Sequence, residues 1–98
     1  MLSFERVLEV FQDYLQKDPL YEVVLTSHGY ALLAWEPCQN DWYRIKHMAT
    51  PKVLLDSLLD TYANYLEDQI TENRRELTAE ETKEIQAKCR LLYERCQA

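Results

Sequence analysis

Apolar residues recur with the spacing of an α-helix at both ends of this chain and alternate like a β-strand in its middle. The first helical stripe lies within residues 3–17 and consists of Phe4, Val7, Leu8, Phe11, Tyr14 and Leu15. Ser3 supplies an N-cap, and Lys17 followed by Asp18 and Pro19 supplies a C-terminal cation and a stop. We therefore expect an amphipathic helix over 3–17.

Two runs rich in β-branched and aromatic residues, 20–27 and 30–36, flank the dipeptide His28-Gly29. A glycine turn between two such runs predicts an antiparallel β-hairpin with a two-residue loop. In this register Ser27 lies opposite Tyr30 and Leu25 lies opposite Leu32. The face directed at the core is then expected to carry Tyr21, Val23, Leu25, Leu32 and Ala34.

Residues 37–41 are typical of a turn, and residues 42–47 alternate strongly enough to predict a third strand. We expect Tyr43 and Ile45 on its core side and Arg44 and Lys46 on the other side. The outer face of the sheet would then combine Glu22, Val24, Thr26, Leu33, Trp35, Arg44 and Lys46, with Tyr30 and Trp42 at its border. Such a face is more apolar than contact with solvent requires.

The last half of the chain predicts two helices. Thr50 and Pro51 form an N-cap and a first helical residue, followed by apolar positions to about residue 73. A helix over 51–73 spans roughly 35 Å at 1.5 Å per residue, so we expect one end to project or to pack on a partner. Thr78 and Glu81 match a capping box that opens a last helix over 79–97.

These elements predict one α+β domain over 1–98 with the order α-β-β-β-α-α. Its three-stranded antiparallel sheet is a meander, packed with an N-terminal helix and a C-terminal αα-hairpin. The pattern leaves open whether the hairpin covers the outer face of the sheet or leaves it as an interaction surface.

Charge and cysteine usage restrict the function classes. The chain has 11 basic and 17 acidic residues, a formal net charge of −6. Direct binding of nucleic acid is disfavoured because it depends on clustered cations. We expect no membrane association, since no apolar run approaches the length of a span and no export signal is visible. Three cysteines without a Cys-x-x-Cys spacing favour the cytoplasm.

Candidate catalytic or metal-binding groups are few. Cys38, His28 and His47 are the residues from which a nucleophile and base or a metal site would be built. The strand between His28 and Cys38 separates them by roughly 20 Å, and His47 falls near His28. Gly29 is the single glycine, which excludes glycine-rich phosphate loops. We therefore predict no catalytic residue, cofactor or metal.

Cys89 and Cys96 lie seven residues apart on the stripe of the last helix that also carries Ile85 and Leu92. This spacing corresponds to about 10 Å along the axis, which is too far for a disulfide. We expect both cysteines to act as small buried hydrophobic residues, with an intermolecular or redox role as the alternative.

Carboxylates line the polar faces of the first two helices. The rows consist of Glu5, Glu9 and Asp13, and of Asp56, Asp60, Asn64, Glu67 and Asp68. Neither row is expected to have cationic partners. They are either solvated faces that keep the domain soluble or an imitation of a phosphate backbone directed at a basic protein.

Three functional hypotheses follow. The first is a small cytosolic module for protein–protein interaction or regulation, without catalysis and forming a homodimer. The second is an acidic nucleic-acid mimic that inhibits a nucleic-acid-binding protein, as phages and mobile elements use. The third is a small enzyme or ligand carrier with Cys38, His47 or Tyr43 at the rim of a pocket. The candidate partner-binding residues are Trp35, Arg44, Leu33, Val24, Glu22, Trp42, Asp56, Asp60 and Glu67.

Overall fold

The computed structural model describes residues 2–97 of the chain. Its elements are α1 (Phe4–Lys17), β1 (Tyr21–Thr26), β2 (Gly29–Glu36), β3 (Asp41–His47), α2 (Pro51–Thr71) and α3 (Ala79–Gln97). The strands form one antiparallel sheet in the order β1-β2-β3. The predicted α+β class, the meander and the helices at both ends of the chain are confirmed.

The predicted helix starts are formed by the expected side chains. Ser3 Oγ accepts a hydrogen bond from the backbone N–H of Arg6 at 3.1 Å, and Thr50 Oγ1 accepts one from Val53 at 3.2 Å. Each hydroxyl satisfies an N–H group that has no partner within its helix. Pro51 follows Thr50 as the first residue of α2.

The start of α3 is a reciprocal capping box. Thr78 donates its backbone N–H to Glu81 Oε1 at 3.0 Å, and Glu81 donates its backbone N–H to Thr78 Oγ1 at 3.1 Å. Arg75 adds two hydrogen bonds of 2.8 Å each, one to each carboxylate oxygen of Glu81. A bidentate guanidinium pair of this kind fixes the carboxylate in place.

The second helix ends at Thr71, two residues before the predicted end at 73. Glu72 and Asn73 have φ angles of 54° and 60°, in the left-handed region that terminates many helices. Thr71 is buried, as is Ile85 on α3, because the two helices pack against each other. We expected one end of α2 to project or to pack on a partner, but its C-terminal end packs against α3 of the same chain. Among residues 2–97, no helix has the length and apolarity needed to cross a bilayer.

The hairpin turn consists of residues 27–28, one residue earlier than predicted. Thr26 lies opposite Gly29, and Val23 lies opposite Leu32. The hydroxyl of Thr26 closes this turn, because it accepts the N–H of His28 at 3.1 Å and donates to the carbonyl of Gly29 at 2.8 Å. Gly29, with φ at +107°, provides the backbone conformation that other residues rarely adopt.

The change of register is two residues, so the predicted faces of β1 and β2 are retained. One residue of the predicted core is nevertheless misplaced. Leu25 pairs with Tyr30 next to the turn but is 69% exposed on the edge strand, whereas Tyr30 packs against Phe4 of α1.

The faces of Arg44, Ile45 and Lys46 in β3 are the reverse of the prediction. A β-bulge makes Tyr43 an extra residue, since Trp42 pairs with Trp35 and Arg44 pairs with Ala34. Ile45 therefore lies opposite Leu33, on the face that was assigned to Arg44 and Lys46.

The two basic side chains of β3 lie on the opposite side of the sheet. Arg44 pairs with Ala34 and Lys46 pairs with Leu32, two positions that point towards the helices. Lys46 Nζ reaches Ser57 Oγ on α2 at 3.3 Å. The strand is exposed along its whole length, so its cations stay in contact with water on this face.

The core lies between the three helices and one face of the sheet, which we call the inner face. The buried cluster consists of Val7, Val10, Phe11, Tyr14, Leu32, Met48, Leu54, Leu55, Leu58 and Cys96. Tyr21, Val23 and Tyr30 of the inner face pack against it. The Cα atoms extend 42 × 39 × 18 Å, so the molecule is a flat arrangement of one sheet layer and one helix layer.

Tyr14 connects the core to the end of α1. Its hydroxyl donates to Asp18 Oδ2 at 2.7 Å, and the other oxygen of Asp18 accepts the N–H of Leu20 at 3.0 Å. Burial of the ring raises the pKa of Tyr14 far above its ordinary value. The buried carboxylate of Asp18 is thus supplied with donors at the junction of α1 and β1.

Replacement of Leu58 by Ala should lower the free energy of unfolding by about 2–5 kcal/mol, because it leaves a cavity at a fully buried position. Leu91→Ala, at a position on α3 that is 58% exposed, is the control and should change it by less than about 0.5 kcal/mol. Urea unfolding followed by circular dichroism measures both. Equal costs for the two variants would contradict the described core.

The capping box predicts a pH-dependent contribution to stability. Hydrogen bonds from Arg75 and from the backbone of Thr78 lower the pKa of Glu81 from 4.5 to about 2. A carboxylate with a lower pKa in the folded state stabilises that state above its unfolded pKa, and loses this effect as the pH falls through its folded value. Wild type should therefore exceed Glu81→Gln in urea midpoint at about pH 6, with the difference vanishing near pH 2.

Arg75→Met tests the cause of this behaviour, because the guanidinium makes the largest contribution to the lowered pKa of Glu81. It should remove much of the same pH-dependent difference. A difference between wild type and Glu81→Gln that stays constant from about pH 6 to pH 2 would refute the role of Glu81.

Candidate functional site

The groups considered for catalysis lie at opposite ends of the sheet. His28 is in the turn between β1 and β2, and His47 at the end of β3 places its Nε2 2.9 Å from the carbonyl oxygen of His28. Cys38 is exposed in the turn after β2, where its N–H donates to Glu36 at 3.0 Å. Within residues 2–97, no group of three or more His, Cys, Asp or Glu residues is arranged to hold a metal ion.

The two cysteines of α3 differ in burial. Cys96 belongs to the core cluster and is fully buried, whereas Cys89 is half-buried. Burial raises the pKa of both thiols, and at Cys89 the negative charge of Asp60 adds to this effect. The prediction of a buried hydrophobic role is confirmed for Cys96 and holds only in part for Cys89.

The acidic rows have cationic partners, contrary to the prediction. Asp56 forms an ion pair with Lys52 at 3.0 Å, one helical turn away, and Glu9 forms one with Arg6 at 3.0 Å. These pairs arise because residues three or four apart lie on the same side of a helix. Glu67 is exposed on α2, further along the same helix. The charge along α2 is therefore less uniform than a phosphate backbone.

Asp60 faces a groove of mixed charge rather than open solvent alone. This groove of about 180 Å³ separates α2 from β2 and β3, and its polar lining includes Arg44, Lys46, Ser57, Asp60 and Asn64. The two cations, Arg44 and Lys46, lie on the inner face of β3, although we predicted them on the outer face. Cys38, His47 and Tyr43 are not part of its lining.

A second groove runs between α1 and β1, and we call it the β1 groove. It has a volume of about 500 Å³ and an apolar part formed by Leu8, Leu15, Tyr21 and Val23. Its polar lining consists of Gln12, Gln16, Lys17, Asp18 and Glu22, of which Asp18 already accepts two hydrogen bonds. The remaining groups do not converge on one point as a catalytic site requires.

The outer face of the sheet carries a set of adjacent apolar side chains. We call them the outer patch, and they are Val24, Leu33, Trp35, Trp42 and Ile45. The rings of Trp35 and Trp42 meet edge to face, with centroids 4.9 Å apart and an interplanar angle of 77°. Ile45 lies opposite Leu33 and is 73% exposed. Aromatic and β-branched cross-strand pairs of this kind stabilise a sheet while they present apolar surface.

The outer patch is uncovered because the helices pack elsewhere. The sheet residues that belong to the core cluster or pack against it are Leu32, Tyr21, Val23 and Tyr30, all on the inner face. Of the two alternatives for the outer face, coverage by the helical hairpin is therefore wrong. Glu22 borders the patch as predicted, since it pairs with Leu33, whereas Arg44 does not belong to it.

Ile45 is the residue of this surface that sequence reasoning missed. The alternation of residues 42–47 was interpreted with Ile45 inside, because an apolar residue in a strand is normally directed at the core. Trp42 stays on the side of Trp35, as simple alternation predicts, and the bulge at Tyr43 reverses only the residues that follow it, so the alternation of residues 42–47 gave no signal for Ile45.

No protein-family model, curated protein or solved structure matches the chain. The fold defines its class: a small α+β protein in which three helices and one face of a three-stranded sheet share a single core. The other face combines a tryptophan pair with an exposed isoleucine.

Thiol labelling under native conditions should distinguish the three cysteines. Cys38 should react fastest because it is exposed, Cys89 more slowly, and Cys96 only as the protein unfolds. The raised pKa values of Cys89 and Cys96 further reduce the reactive thiolate at neutral pH. Mass spectrometry of labelled peptides gives the order, and labelling in about 6 M guanidinium is the control. Reaction of Cys96 at the rate of Cys38 would contradict the burial described above.

Proposed function

We propose that this protein is a cytosolic interaction module without catalytic activity, which binds another protein through the outer patch and also associates with itself. The observation that carries the proposal is a contiguous apolar patch on a sheet face that no described helix packs against. Soluble monomers rarely leave such a patch without a binding role.

The composition of the patch suits protein recognition. Tryptophan is enriched in interface residues that carry most of the binding energy, and each aromatic side chain can bury 150–250 Å². The contact between Trp35 and Trp42 restricts both rings before binding, so less side-chain entropy is lost on association.

The border of the patch favours a partner with an apolar centre and some basic residues around it. Glu22 of the outer face lies beside Leu33 and is exposed. The net charge of the chain is −6, so long-range attraction also favours a basic partner. Apolar contacts would supply affinity, and the carboxylate of Glu22 would orient the partner.

The nucleic-acid mimic has less support. It needs a regular array of free carboxylates, but Asp56 is paired with Lys52, and Asp60 shares a groove with Arg44 and Lys46. An enzyme or carrier has less support again, because Cys38 and the two histidines lie at different ends of the sheet.

Affinity capture from a native lysate tests the outer patch. Ile45→Asp places a charge in its centre, and should reduce recovery of a captured partner at least about tenfold. Leu91→Asp is the matched control, since Leu91 is exposed on α3 and lies outside the patch. Circular dichroism checks that both variants remain folded. Equal loss of the partner with both variants, or equal retention, would contradict binding at this face.

A further inference from the structure

The first strand has an open edge, because β1 pairs with β2 and lies at the border of the sheet. The backbone N–H of Trp35 donates to the carbonyl of Leu20 at 2.8 Å. Hydrogen-bonding groups alternate in direction along an antiparallel strand, so Glu22 and Val24 also direct theirs at β2. The N–H and C=O groups of Tyr21, Val23 and Leu25 therefore point away from the sheet.

The two edges of the sheet differ in how they resist pairing with another strand. The β3 edge has a bulge at Tyr43 and the charged residues Asp41, Arg44 and Lys46, which are features that keep strand edges apart. The β1 edge has a regular register with β2 and one charged residue, Glu22. Of the two edges, β1 is therefore the one open to strand addition.

The β1 groove lies directly along this edge. Three consecutive residues of the strand, Tyr21, Glu22 and Val23, line it together with Leu8 and Leu15 of α1. An incoming strand that pairs with β1 would place its inner-face side chains in this groove. Strand addition beside a helix is a recurring mode of recognition, with backbone hydrogen bonds for affinity and side-chain pockets for specificity.

β1 also carries a solvent-exposed apolar side chain, Leu25. Leu25 belongs to the inner face with Tyr21 and Val23, but it is 69% exposed at the open edge of the sheet. The chain thus has a partly apolar groove at one end of β1 and an unburied leucine at the other end. When a second copy of β1 pairs antiparallel with the first, the leucine end of each strand lies beside the groove end of the other.

From this complementarity we infer that two copies of the chain associate by antiparallel pairing of β1 with β1, centred on Val23. In this register Leu25 lies opposite Tyr21 of the partner subunit and enters the β1 groove of that subunit. Glu22 lies opposite Val24 of the partner subunit, so no like charges oppose each other. The inference rests on the self-association included in the proposed function, and it uses a different surface from the outer patch.

The pairing uses the available backbone groups fully. Tyr21, Val23 and Leu25 are the residues with outward-directed N–H and C=O groups, and in this register they pair with one another across the two-fold axis. The two three-stranded sheets become one continuous sheet. Both outer patches then lie on the same side of the dimer, so a dimeric partner can be bound at two points.

Leu25→Asp tests the inference, and Ile45→Asp is the matched variant. The two positions are exposed to a similar degree, Leu25 to 69% and Ile45 to 73%. Leu25→Asp should raise the dimer dissociation constant at least about thirtyfold, the effect of losing one strong interface residue. Ile45→Asp should leave the dimer intact. Sedimentation equilibrium over a range of concentrations measures both, and circular dichroism checks the fold.

The outcomes also separate this inference from the outer patch. If the dimer persists in Leu25→Asp, the pairing of β1 is overturned. A wild-type protein that stays monomeric at about 100 μM overturns it as well. Both conclusions hold whatever effect Ile45→Asp has on partner capture. Loss of partner capture with Ile45→Asp in a protein that still forms the dimer supports both proposals. Dissociation by Ile45→Asp but not by Leu25→Asp would instead place the dimer contact on the outer patch.

A cysteine introduced at the two-fold axis tests the register without weakening the interface. In the variant Val23→Cys with Cys38→Ser, the two Cα atoms at the axis would be about 5.5 Å apart, within the range of a disulfide. Mild oxidation should give a covalent dimer on a non-reducing gel. Val24→Cys with Cys38→Ser is the control and should not crosslink efficiently. Crosslinking at Val24 in preference to Val23 would overturn the proposed register.

Discussion

One-sided packing is the constraint on which the rest of this structure depends. Leu32, in the central strand, belongs to the same buried cluster as Phe11 of α1, Leu58 of α2 and Cys96 of α3. The core that joins the three helices thus uses one face of the sheet. No helix within residues 2–97 packs on the opposite face. The properties of the outer patch follow from this arrangement and not from a separate local feature.

The same constraint explains why the two basic residues of β3 can lie inside and the isoleucine outside. The helix layer does not bury β3, which is exposed throughout. Lys46 can therefore point at α2, reach Ser57 at 3.3 Å and keep contact with water. An exposed strand has no apolar environment that would select Ile45 for the inner face. The bulge at Tyr43 decides the direction of the side chains that follow it instead.

The sequence was sufficient to predict the elements whose signals are local. The N-caps at Ser3 and Thr50 and the capping box at Thr78 each need two or three residues, and they form as expected. Three features depended on tertiary context: the turn closed by the Thr26 hydroxyl, the bulge at Tyr43 and the exposure of Leu25. The apolar character of the candidate site was predictable from Val24, Leu33 and Trp35. Which residues of β3 belong to the site was not predictable, because the pairing of β3 with β2 contains the bulge that decides which way its side chains point.

The shortest dimension of the molecule, 18 Å between Cα atoms, has a thermodynamic consequence. A thin core buries a small fraction of the surface of the chain, so the free energy of unfolding is expected to be small. Any ligand that binds only the folded form adds to that margin in proportion to the logarithm of its concentration over its dissociation constant. If a partner binds the outer patch, the resistance of the chain to proteases would then depend on the concentration of that partner.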